Sequence, residues 1–281
     1  MPSPRSDASI SEWRPPEFQR TLIDMGIVSD TTYSIYESKL EKEVLESEMP
    51  NHIAIIMDGN RRYAKEVLKE EDTTVGHRLG KDKVEDVLNW CYKLKIKVVT
   101  VYAFSTENFS RDDKEVDFLL DLIRDMLYDL ADDERTHKYR MRVRMIGERS
   151  LIPADLMEAV NYAEEKTSMY DDYHFNIAVA YGGRQEIISA VKKVAQDVLD
   201  GKVTVDDIDE DYFSGNMYTR DEKDPDLVLR TSGELRLSNF LIWQLAYSEL
   251  YFTDVYWPGF RYIDFLRAIR SYQQRHRRFG V

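Results

Sequence analysis

The sequence predicts an α/β fold: a single domain built on a mostly parallel central sheet flanked by helices. Two observations carry this. From residue 52 onward, short β-branched runs alternate with longer stretches of helical periodicity, the pattern of parallel strands joined by helical crossovers. The runs 53–57 and 98–104 are also apolar or aromatic nearly throughout, as expected of strands covered on both faces.

Taken in order, residues 1–49 read as an N-terminal extension, polar and with prolines at 2, 4, 15 and 16, turning helical over 36–48. Residues 50–281 form the domain proper. Its first strand is 52–57. A helix over 77–94 puts Leu79, Val84, Val87, Leu88 and Cys91 on one side, and a strand follows at 98–104. A polar loop leads to a helix over 114–136. Strand 141–146 and helix 153–169, with Pro153 suited to the first turn, make the next unit, and strand 174–180 with helix 183–199 repeats it. An acidic linker at 203–211 precedes strand 226–230, a helix-like apolar run 238–247, strand 250–255 and a last helix 261–277. On helix 114–136, Phe118, Leu119, Leu120, Leu122, Ile123, Met126, Leu127 and Leu130 make a stripe wider than one sheet face requires. It is either a helix buried among neighbours or the wall of an apolar tunnel.

The chain has 281 residues, 43% of them hydrophobic, and a net charge of -13. That composition is globular, and the charge argues against nucleic acid as the main partner. The single cysteine, Cys91, excludes an internal disulfide or a cysteine metal cluster. With no apolar run of membrane-spanning length, the expectation is a cytoplasmic protein, at most peripheral to a membrane.

Chemistry gathers at the predicted strand ends. The first strand stops at Asp58-Gly59-Asn60, and Arg61-Arg62 follow at once. Carboxyl ends of strands are where open α/β sheets bind ligands. Paired arginines suit phosphate, and an acid beside phosphate calls for a divalent cation. The same residues also suit an Asp-Gly turn with a solvated arginine pair. Arg230, Arg236 and Ser238, within nine residues, form a credible diphosphate clamp. His77 alone reads as a helix-start histidine, and Gly182-Gly183 as a strand-to-helix turn. Glu249, among Tyr247, Tyr251 and Phe252, is either a metal ligand or an arginine partner, since burying it unpaired is costly. The chain lacks a Gly-x-Gly-x-x-Gly or Walker loop, a serine nucleophile elbow and a His-Glu-x-x-His. Two phosphate centres, one acid and an apolar helix point to diphosphate-bearing apolar substrates.

These segments resemble the undecaprenyl diphosphate synthase family, the cis-prenyltransferases. The likeness runs from about residue 50 to 280 through His52-Ile-Ala-Ile-Ile-Met-Asp-Gly-Asn-Arg-Arg-Tyr-Ala-Lys65, Gly76-His77, Tyr102-Ala-Phe-Ser-Thr-Glu-Asn-Phe-Ser-Arg111, Tyr181-Gly-Gly-Arg184, Arg230-Thr-Ser-Gly-Glu-Leu-Arg-Leu-Ser-Asn-Phe-Leu-Ile-Trp-Gln244 and Glu249-Leu-Tyr-Phe252. The wording is closer to eukaryotic and archaeal members than to bacterial ones. The resemblance implies a sheet and helices enclosing a hydrophobic tunnel, and condensation of isopentenyl diphosphate with an allylic diphosphate to give a precursor of glycosyl-carrier lipid. It implies that Asp58 holds Mg2+ against the allylic diphosphate, which Gly59, Asn60, Arg61, Arg62 and His77 surround with Tyr63 beside them. Arg230, Arg236 and Ser238 then bind the second diphosphate. Ser105, Asn108, Phe109 and Arg111 position the homoallylic substrate, with Asn60 and Ser105 the candidates for proton removal. Glu249 contributes to Mg2+ from the partner in a homodimer, whose site the Arg277-Arg278-Phe279-Gly280 tail also reaches.

The chain departs from the pattern in places. Thr73 stands where many members carry arginine, so that phosphate is bound more weakly there or Lys65 or Lys69 supplies the charge, and Tyr63 and Phe109 replace tryptophans of bacterial members. A bulky Tyr173 near the expected tunnel floor suggests a shorter product. The alternatives are a short-chain synthase, a non-catalytic subunit of a heteromer, or an Asp-dependent phosphohydrolase, which would want an acid where Asn60 stands.

Overall fold

The computed structural model describes residues 30–276. The polar stretch before residue 30 and the Arg277-Arg278-Phe279-Gly280 tail lie outside the described residues. Elements follow in chain order: α1 (Asp30–Leu45), β1 (His52–Ile56), α2 (Asn60–Arg62, continuing as a π-helical turn Tyr63–Leu68), α3 (Thr74–Leu94), β2 (Val98–Ser105), α4 (Asp113–Asp132), α5 (Glu134–Lys138), β3 (Met141–Ile146) and α6 (Ala154–Thr167). Then come β4 (Tyr173–Tyr181), α7 (Gly183–Leu199), α8 (Glu210–Ser214), β5 (Leu227–Arg230), β6 (Glu249–Phe252) and α9 (Tyr262–His276).

Six strands form one sheet in the order β3-β4-β2-β1-β5-β6, and all five pairings are parallel. Alternate residues of the central strands serve two cores. Ile53, Ile55, Val99, Val101, Phe175 and Ile177 pack on one face with the α3, α4 and α6 side chains. Ala54, Ile56, Ala178 and Val228 pack on the other against Phe240 and Leu241. Burial on both faces explains why these strands read as continuous apolar runs. β1 has β2 on one side and β5 on the other, so the strand order reverses at its carboxyl end, the place where open α/β sheets form a crevice.

Three expectations need correction. The helix expected over 114–136 is broken at Asp133, whose extended backbone (ψ 126°) interrupts it while its carboxylate caps α5. The 238–247 run is not a helix: Ser238, Asn239 and Leu241 adopt φ of 51°, 64° and 43°. Burying Phe240 and Leu241 in the second core overrides their helix propensity there. The N-terminal helix begins at Asp30, and Leu40 and Val44 are buried; Gln273 of α9 donates to Val44 O at 2.9 Å. Among the described residues no helix is long and apolar enough to cross a membrane.

Candidate active site

The carboxyl ends of β2, β1 and β5, three adjacent strands, open onto a cavity of about 960 Å3. Asp58 lies just past β1, Ser105 ends β2, and Arg230 ends β5. Gly59 turns the chain into α2 with φ 105°; a Cβ there would meet the Tyr256 ring at 2.7 Å and Ser232 Cβ at 3.0 Å. Only glycine fits that turn. Thr231 fixes the same corner, its hydroxyl donating to Asp58 O at 2.6 Å and accepting from Asp58 N at 2.9 Å. Trp257 N–H donates to Asp58 O as well, at 3.0 Å.

Asp58 joins the two arginine groups foreseen from sequence. Arg230 Nη2 donates to its Oδ2 at 2.8 Å, and Arg62 Nη2 approaches Oδ1 at 3.4 Å. Burial pushes the Asp58 carboxyl up. The hydrogen bond and charge of Arg230, then Ser232 and Arg62, outweigh it and hold the group below its ordinary value. Arg230 is buried and also donates to Ser238 Oγ at 2.7 Å and to Arg236 O. The expected Arg230–Arg236–Ser238 cluster is therefore assembled. Arg61, Arg62, Lys65, His77, Asn108 and Arg111 line the same cavity, and Lys69 does not. Of the two lysines weighed against Thr73, Lys65 is therefore the one at the cavity. Asn108 also holds Ser105: its Oδ1 accepts from Ser105 N at 2.9 Å and the Ser105 side chain accepts from its backbone, a reciprocal cap on the turn.

The His77 pKa falls to about 4, first through burial and then through the positive charges of Arg111 and Arg61, so the ring is neutral at pH 7. His77 Nε2, Asn60 Oδ1 and Arg230 Nε are buried atoms without a hydrogen-bond partner among the described residues. All three residues line the cavity, as polar groups do when their partner is a ligand. Away from this mouth the lining turns apolar, with Val84 of α3 and Leu119, Leu122, Ile123 and Met126 of α4. Leu120, Leu127 and Leu130 of α4 pack into the core. Leu119, Ile123 and Met126 belong to that core too, so the wide stripe seals the core and walls the cavity with the same side chains.

Three predicted residues lie off the cavity in this chain. Phe109 packs edge-on against Phe104, centroids 4.9 Å apart. Tyr63 sits under Gly259, whose Cβ would lie 3.1 Å from its ring. Glu249 starts β6 opposite Leu227, which pairs with Ile53 at the amino end of the sheet, and it bonds Arg275 at 3.1 Å. Sequence reading passed over Glu115, which sits 2.8 Å from Arg111 and 3.6 Å from Arg61. Its signal was the i, i+4 spacing from Arg111. It also passed over Ser232, whose Oγ accepts from Arg62 at 2.6 Å, although Ser232 stands inside a quoted motif.

Fold and site define an α/β protein with arginines gathered at a cavity that apolar side chains also line. The family model described as "Putative undecaprenyl diphosphate synthase" matches residues 56–280. The chain belongs to this family, the cis-prenyltransferases, and is a prenyltransferase. A Thermoplasma volcanium relative named tritrans,polycis-undecaprenyl-diphosphate synthase (geranylgeranyl-diphosphate specific) is 53% identical over 91% of this chain and 98% of its own length. One of the same name from Methanocaldococcus jannaschii is 51% identical over 94% and 92%. The crystal structure of lavandulyl diphosphate synthase from Lavandula x intermedia in complex with dimethylallyl diphosphate superposes with a TM-score of 0.75 at 38% identity, covering 82% of this chain and 96% of that one.

Proposed function

We propose that the protein condenses isopentenyl diphosphate with an allylic primer, geranylgeranyl or farnesyl diphosphate, and extends it to a poly-cis polyprenyl diphosphate, precursor of glycosyl-carrier lipid. One observation carries this reading: a single cavity has two arginine groups meeting at Asp58 at its mouth and an apolar wall behind them. The archaeal relatives named for geranylgeranyl diphosphate favour that primer.

Arg61, Arg62 and His77 hold the primer diphosphate in this scheme, while Arg230, Arg236 and Ser238 hold that of isopentenyl diphosphate. The primer's C1–O bond breaks with its electron pair leaving on the diphosphate. The isopentenyl double bond then bonds to C1, and a proton leaves beside Asn60 or Ser105 with the released diphosphate as its acceptor. The arginines stabilise charge on the leaving oxygen where the apolar wall keeps water out. Asp58 would hold Mg2+. No three candidate ligands cluster among the described residues, and one carboxylate between two diphosphate sites suits an ion that completes its shell with phosphate oxygens and water. Such an ion would supply positive charge against the departing diphosphate.

The same reading makes residues 50–281 the catalytic domain and 1–49 an extension. It makes the protein a homodimer in which Glu249, on the edge strand β6, serves the partner's metal, and a cytoplasmic protein touching membrane only as product leaves. The test is incubation with isopentenyl diphosphate, Mg2+ and either primer, followed by product chromatography. Absence of elongation, or elongation undiminished in Asp58→Ala, defeats the reading.

A further inference from the structure

The segment between β5 and β6 carries Arg236 and Ser238 on a backbone that side chains disfavour, with left-handed φ at Ser238, Asn239 and Leu241. Such a path persists only where its surroundings over-determine it. Much of that constraint passes through Asn239. Its main-chain oxygen accepts from Gly183 N–H at 2.7 Å, and its Oδ1 accepts from Arg184 N–H at 2.9 Å. These are the first two amides of α7, which otherwise lack helical partners, and the N-cap residue, Gly182, has no side chain to offer them. In the other direction Asn239 Nδ2 donates to Glu107 Oε1 and Gln185 Oε1, each at 3.1 Å.

One amide thus joins the Arg236–Ser238 loop to α7 and to the turn that begins at Ser105. The fit is close. A Cβ on Gly182 would lie 2.8 Å from Asn239 Nδ2, and one on Gly183 would lie 3.1 Å from Asn239 O. The Gly182-Gly183 pair, a plain strand-to-helix turn in sequence, is the space that lets Asn239 dock.

We propose that Asn239 is a positioning residue for the second diphosphate. It sets the loop that aims Arg236 and Ser238 and locks that loop to the Glu107 turn. The inference rests on the assignment of Arg230, Arg236 and Ser238 to isopentenyl diphosphate.

Asn239→Asp tests it. The variant keeps the acceptor facing Arg184 N–H, where a negative charge at a helix start is favourable, and sets a carboxylate oxygen against Glu107. The expected result is a KM for isopentenyl diphosphate raised about tenfold, the scale of one lost charge-assisted hydrogen bond. The KM for geranylgeranyl diphosphate and the melting temperature stay at wild-type values. Adding Glu107→Gln restores the pair with its polarity reversed, and the double variant returns to the KM of Glu107→Gln alone.

An unchanged KM in Asn239→Asp overturns the proposal, and so do effects of the two substitutions that simply multiply. A matched rise in both KM values with a fallen melting temperature marks a purely structural role and overturns it too. If wild-type protein elongates neither primer, the functional assignment fails instead. Calorimetric titration with inorganic pyrophosphate then decides the positioning role: Asn239→Asp weakens binding and the double variant restores it, or the role is rejected.

Discussion

Gly80 offers a substitution in which stability and activity separate. It lies inside α3, where replacing glycine by alanine favours the helix by about 1 kcal/mol. The new Cβ would stand 2.6 Å from Asn60 Oδ1, 3.0 Å from its Cγ and 3.1 Å from its Nδ2. Asn60 must swing off its rotamer, at about 0.5–1.5 kcal/mol, so the two terms nearly cancel. At roughly 2–4 °C per kcal/mol for a domain of this size, Gly80→Ala should melt within about 3 °C of wild type. Asn60, though, is displaced from the cavity mouth. If it touches the reacting groups as proposed, losing it costs about 3 kcal/mol in the barrier, two decades of kcat/KM. Steady-state elongation of geranylgeranyl diphosphate with labelled isopentenyl diphosphate, beside a melting curve, reads both quantities. A variant keeping more than half of wild-type kcat/KM would refute the role given to Asn60.

Three further outcomes are expected. Asp58→Asn leaves the buried Arg230 guanidinium without its charge partner, so stability should drop by roughly 3 kcal/mol in denaturant melts as elongation is lost; an unshifted melt contradicts the pairing. His77, with its folded pKa lowered to about 4 from 6.5, favours the neutral form, so its stabilising contribution is complete above pH 6.5 and is lost as pH falls toward 4. Ring NMR shifts should show this titration, and pyrophosphate should move it upward; a midpoint near 6.5 in empty protein rules it out. Ile123→Trp should shorten the product by filling the cavity, whereas Tyr173→Ala should not lengthen it, because Tyr173 packs against Tyr92 and Tyr139 and is not part of the cavity lining. Product chromatography decides between the two positions.

Strands buried on both faces and the loops at their carboxyl ends were legible because their signals are local: an apolar run, then an acid, a glycine and arginines. The β5–β6 segment was not. Its apolar residues mimic a helix, and only contacts with α7 and the second core, distant in sequence, bend it into left-handed turns. The break at Asp133 was hidden for a similar reason, since one capping carboxylate looks like any other acid on a charged helix. Glu249 shows a different limit. Its aromatic setting was visible, but which arginine it meets depends on where α9 returns to the sheet.

The bridge through Asp58 has a consequence for turnover. Arg61 and Arg111 rest on Glu115, Arg62 on Asp58 and Glu234, Arg230 on Asp58, and Arg236 on Glu234. The arginines at the cavity are therefore already paired with carboxylates, and a diphosphate bound there as proposed would exchange with one of them instead of meeting bare positive charge. Affinity becomes the difference between two sets of ion pairs. A site made this way would keep its arginines ordered between cycles and would let go of pyrophosphate without a deep well to climb from, leaving that side free for the elongated chain, whose diphosphate came in with isopentenyl diphosphate.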